Sequence, residues 1–137
     1  MKYNRKFLVL SMLLLFVGFL LYFTRIDCNY IWGLFNPSCI SLKLQNKISL
    51  NNFIVYNLPD GLWCSSAIFL LAYIWVNSTK WFLFYSVVFS LISFFYELLQ
   101  KYHIIPGTFD ITDIITMMVC IAFSCSIIML QKKLFRY

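Results

Sequence analysis

Four apolar runs, at about residues 7–23, 62–76, 81–99 and 111–130, leave this chain few folds to choose from. Each approaches the roughly 20 residues that an α-helix needs to cross the hydrocarbon core of a bilayer. Inside lipid, a backbone amide must find its partner within its own segment or a closed barrel. No alternating strand pattern recurs along the chain, so helices are expected. Composition agrees. The chain is 62% hydrophobic and 12% charged, with a mean hydropathy of +0.82, whereas a soluble domain carries about a quarter charged residues. The expectation is an all-α membrane protein with four transmembrane helices, forming one domain over residues 1–137.

The connections differ in kind. The first run follows Lys2, Arg5 and Lys6, which resembles a signal peptide. Thr24-Arg25-Ile26-Asp27 has no small-x-small cleavage site, so it reads as an uncleaved first span. Residues 24–57 form the longest connection, a long outer loop. Tyr30–Phe35 suits the membrane interface, and Ser49–Tyr56 reads as a short strand or a second interfacial piece. Asn57-Leu58-Pro59-Asp60-Gly61 is turn chemistry, with Asp60 placed to cap the second span. Asn77–Lys80 is a short polar turn, which makes the second and third spans antiparallel neighbours.

Four spans put both termini on one side. With the termini in the cytoplasm, inner segments hold seven basic residues and outer segments four, so the positive-inside rule favours that orientation. All five acids, Asp27, Asp60, Glu97, Asp110 and Asp113, then lie on the outer side. The net charge of +6 is spread over segment ends and forms no basic stripe, which argues against nucleic acid as a partner. The five cysteines form no CxxC pair. Cys64, Cys120 and Cys125 read as small buried hydrophobes, while Cys28 and Cys39 share one loop and could pair in an oxidising compartment.

The chemistry concentrates between Glu97 and Asp113. Glu97 and Gln100 are three apart near the outer end of the third span and share a face. Asp110 and Asp113 do the same at the start of the fourth, with Asp60 at the same level. These five are the candidate binding residues. The aspartates also have ordinary work available as helix caps on the positive end of the dipole. Glu97 has none, and an ionised group near the bilayer core must face the bundle and find partners. Lys101, His103 and Arg25 are the candidates; His103 itself reads as a plain interfacial residue. No HExxH, Ser-His-Asp order, phosphate loop or nucleophile elbow appears, so neither a metal site nor a cofactor is assigned, and no catalytic residue is named.

The arrangement resembles the VanZ-like family of small bacterial membrane proteins, whose founding member is associated with teicoplanin resistance. The likeness covers about residues 59–126. It rests on Asp60 opening the second span, Glu97-x-x-Gln100 closing the third, and Phe109-Asp110-x-x-Asp113 opening the fourth. The family often has Asp-Lys-x-x-His where this chain has Asp60-Gly61-x-x-Cys64, and an Arg where Gly107 and Thr108 stand. Its Asn-x-x-Gly in the fourth span is replaced by Met117 and Cys120. The resemblance implies a divergent member in the cytoplasmic membrane of a bacterium, with its polar residues at Asp60, Glu97, Gln100, Asp110 and Asp113.

Three functions compete at this level. The preferred one is a non-enzymatic envelope protein that binds a lipid-linked cell-wall precursor, a cationic amphiphile or a partner membrane protein through the outer acidic patch. It would affect glycopeptide or envelope-stress tolerance, with membrane lipids as constant partners. The second is a metal-dependent hydrolase or transferase acting on a polyprenyl lipid, with Glu97 as base. The third is a small carrier or channel subunit. The sequence leaves oligomeric state open.

Overall fold

The structure is a computed structural model that describes residues 2–24, 52–106 and 109–134. Five helices follow in chain order: α1 (Lys2–Thr24), α2 (Asn52–Tyr56), α3 (Leu58–Ile74), α4 (Thr79–Lys101) and α5 (Ile111–Leu134). Among the described residues there is no strand. Three helices are long and apolar enough to cross a membrane, at Arg5–Tyr22, Thr79–Lys101 and Ile111–Gln131, while α3 is a shorter apolar helix of 17 residues. The short strand considered for Ser49–Tyr56 is instead helical over Asn52–Tyr56. The Cys28–Cys39 pairing, the Tyr30–Phe35 interfacial segment and Arg25 lie outside the described residues.

α3 is the centre of the bundle. On one side it runs antiparallel to α1: Phe7 stacks on Phe69 at 6.2 Å, Ser11 meets Ser66, and Tyr22 packs on Trp63 at 5.4 Å. On the other side it runs parallel to α5, from the Asn57–Asp113 hydrogen bond to the Ser65–Cys120 contact. Close approach on both faces follows from small residues. Lipid removes the hydrophobic drive between helices, so van der Waals fit and interhelical hydrogen bonds hold them together. A Cβ on Gly61 would come within 2.7 Å of Cys120 Sγ and 2.9 Å of Thr116 Cγ2. One on Gly18 would come within 2.7 Å of the Trp63 ring. Ser11 and Ser66 bond reciprocally, each hydroxyl donating to the other residue's carbonyl at 2.9 Å.

α4 is held differently. It crosses the α3–α5 pair with far fewer close backbone approaches. Phe82, Ser86 and Glu97 are its buried residues, and Val87, Leu91, Ile92 and Phe95 all face outward. Its inward face carries Ser86, Ser90, Ser93, Glu97 and Gln100, at intervals of four, three, four and three. Each of the three serines donates to a carbonyl four residues back, which satisfies its hydroxyl within the helix. Ser93 sits beside the Cys64 thiol of α3, and Ser86 beside the Cys125 thiol of α5.

The ends of the bundle are chemically distinct. At one end Arg5, Lys6 and Lys80 are exposed, near an aromatic group in which Trp75 stacks on Tyr85 at 5.3 Å and lies 6.0 Å from Trp81. Aromatic rings favour this boundary between water and lipid. The carboxylates gather at the other end.

Candidate functional site

The α4–α5 hairpin is shaped by its stop and start signals. α4 ends with His103 in the left-handed region at φ 55°. The His103 amide donates to the Gln100 carbonyl at 2.9 Å, and the Ile104 amide to the Leu99 carbonyl at 3.0 Å. This is the Schellman pattern, normally completed by glycine. His103 is therefore an exposed helix stop. α5 starts at Ile111, where the Asp110 carboxylate accepts from the Thr112 amide at 2.9 Å. Asp110 is thus the cap expected from sequence. That amide bond, with the Thr112 hydroxyl, holds its carboxyl below the ordinary carboxylate range.

Asp60 departs from expectation. α3 begins at Leu58, with Pro59 in its first turn where no amide partner is needed, so Asp60 lies inside the helix and is half-buried. The N-cap position belongs to Asn57, whose side chain makes no cap bond. It reaches instead to α5, where Nδ2 donates to Thr112 Oγ1 at 2.6 Å and to Asp113 Oδ1 at 2.7 Å. Asn57 and Asp113 are both buried, so this bond fixes the first turn of α3 against the first turn of α5. Sequence reading took Asn57 for turn chemistry and missed the bridge.

Glu97 completes the group from α4. It is 7% exposed, and its Oε2 is buried without a hydrogen-bond partner among the described residues. Asp113, Asp60 and Asp110, in that order, are the carboxylates whose charge reaches it. Lys101, a candidate partner, lies with its ammonium 5.3 Å above the Phe109 ring. Gln100, one turn beyond Glu97, is half-buried. The structure therefore brings Glu97, Asp113 and Asp60 together where α3, α4 and α5 converge, and leaves Asp110 exposed at the rim. Among the described residues no three His, Cys, Asp or Glu side chains stand close enough to hold a metal ion.

This arrangement does two separate things. Asp113 is satisfied by Asn57 and ties helices together. Glu97 keeps an oxygen without a partner among the described residues, facing other acids in a buried setting where an unpaired polar group costs most. Compared with family models, with curated proteins and with solved structures, the chain shows no match.

Proposed function

We propose that the chain is a four-span integral membrane protein of the bacterial cytoplasmic membrane that uses the Glu97 site to bind an envelope ligand. The reading treats α3 as the fourth span. Its 17 residues reach about 25 Å at 1.5 Å each, and α1 and α5 cover it on both sides. The basic end of the bundle faces the cytoplasm under this reading and the carboxylate end faces outward, with both termini inside. In keeping with the VanZ-like resemblance, the ligand is a lipid-linked cell-wall precursor, an amphiphile or a partner membrane protein, and binding alters tolerance to glycopeptides or envelope stress.

The observation that carries this reading is the buried Oε2 of Glu97, which stands near other carboxylates and has no hydrogen-bond partner among the described residues. Intramembrane acids without an internal partner are costly, and in working proteins they mark ligand or ion sites. A purely structural residue at this position would be apolar or paired. The test is replacement of Glu97→Gln or Asp113→Asn in the native host. Tolerance to envelope-directed antibiotics changes while the protein level holds. Unchanged tolerance at normal protein level would remove the reading.

A further inference from the structure

We propose that the Glu97 site takes a protonated amine carried on an amphiphile, so that an N–H of a charged nitrogen donates to Glu97 Oε2. This assignment rests on the binding reading above and gives it a chemical class. Three observations lead to it. First, the Oε2 of the Glu97 carboxylate is buried and has no partner among the described residues, so a donor satisfies it. Second, the charged side chains that reach Glu97 among the described residues are acidic. Asp113, Asp60 and Asp110 all act on Glu97, while the nearby cation Lys101 rests on Phe109. A neutral donor would leave that repulsion in place, whereas a cation relieves it, and charge-assisted hydrogen bonds are the stronger kind. Third, no three His, Cys, Asp or Glu side chains among the described residues form a group that could hold a metal ion. Coordination of a hard divalent cation needs several oxygens at about 2.0–2.6 Å. An ammonium group bonds at longer range and points its donors in separate directions, which suits acceptors spread over three helices.

The amphiphile follows from the position. α4 packs loosely on α3 and α5, and its flank near Glu97 is apolar, with Phe94, Phe95 and Tyr96 exposed. A ligand entering between the helices arrives with its tail in lipid and its head at the carboxylates. Water-soluble amines lack the tail that this flank would cover.

The test uses the full chain in phosphatidylcholine nanodiscs at pH 7, with dodecylammonium and dodecyltrimethylammonium as probes and thermal unfolding as readout. The two share charge and chain length, but the quaternary probe has no N–H. Dodecylammonium raises the unfolding midpoint of the wild type at a concentration at least tenfold below that needed for the quaternary probe. Glu97→Gln raises the concentration required for dodecylammonium by about tenfold or more, the range expected for one hydrogen bond to a charged group. Val9→Leu, at an exposed position on α1, leaves it unchanged. Equal potency of the two probes on the wild type would overturn the proposal without recourse to any variant, as would an undiminished response in Glu97→Gln. A midpoint rise with magnesium that depends on Glu97 would also overturn it in favour of a metal. If the amine fails while Glu97→Gln still alters antibiotic tolerance, the amine assignment falls and the binding reading stands. If both fail, both fall.

Discussion

The α1–α3–α5 unit and α4 meet the same solvent with opposite designs. In the first, glycines and serines bring backbones together and polar groups pair across the helices, Ser11 with Ser66, Ser65 with Cys120 and Asn57 with Asp113, although the buried Trp63 indole N–H has no partner among the described residues. In the second, the serine hydroxyls of the inner face are turned back on their own helix and Glu97 keeps an oxygen without a partner among the described residues. Apart from the buried Phe82, bulky side chains such as Leu91, Ile92 and Phe95 on α4 point outward, and its inner face touches the rest sparingly. Under the proposed binding role, the difference separates stability from function. A helix that can be approached from lipid, lined by small polar residues and ending in an unsatisfied carboxylate, is suited to accept something. A pair of interfaces closed by glycine is suited to hold shape while it does.

The comparison is tested most severely at Gly61. Its Cβ position is already occupied by Cys120 Sγ at 2.7 Å and Thr116 Cγ2 at 2.9 Å. Gly61→Leu must push α3 and α5 apart, and overpacking of this kind costs about 1–3 kcal/mol or more. Val87→Leu adds a methylene to α4 at a site that is 59% exposed, and it leaves stability unchanged. Reversible unfolding in mixed micelles separates the two. Equal losses, or none at Gly61, would show that α3–α5 is no tighter than α4.

The next effect in size is at Asn57. Asn57→Ala removes the donor that satisfies Asp113 Oδ1 at 2.7 Å and leaves a buried carboxylate oxygen without that bond. The expected loss is about 1–3 kcal/mol, measured by the same unfolding experiment. Because Asp113 also bears on Glu97, the variant weakens ligand binding as well. Asn57→Ala with full stability would mean that the bridge contributes nothing to the α3–α5 interface.

Much of this was readable in advance, and the gaps have physical causes. Long apolar runs reveal helices directly, and the all-α class and approximate limits of α1, α4 and α5 follow from them. The acidic convergence was legible because short connections place the ends of α3, α4 and α5 at one level. Asp60 was misassigned because Leu58-Pro59 looks like a turn, although proline in a first turn has no amide to lose. Asn57 was missed for a related reason: its partners Thr112 and Asp113 are 55 and 56 residues away, and no local pattern announces them. The serine seam of α4 had a usable signal. Ser86, Ser90, Ser93, Glu97 and Gln100 follow a helical period, and asking which long apolar helix has a polar stripe would have found it. The small-residue clasp between α1 and α3 had no comparable signal, since serines and glycines are common throughout such segments.

The smallest expected effect belongs to Asp110, and it sharpens the boundary of the site. Its carboxylate caps α5 through the Thr112 amide and is held below the ordinary range by that bond. A carboxyl with a lowered folded-state pKa contributes stability above its unfolded value, and that contribution is lost as pH falls through the folded value. With an ordinary aspartate near 3.9, the contribution is intact at pH 6 and fades below about pH 4. Asparagine caps comparably but does not titrate. The wild type is therefore slightly more stable than Asp110→Asn at pH 6, and the difference shrinks as the pH falls below about 4 in parallel thermal unfolding. Being exposed, Asp110 produces a small shift that added salt reduces. A gap that grows on acidification would mean that Asp110 titrates with the buried acids, and the binding site would then extend to the rim of α5.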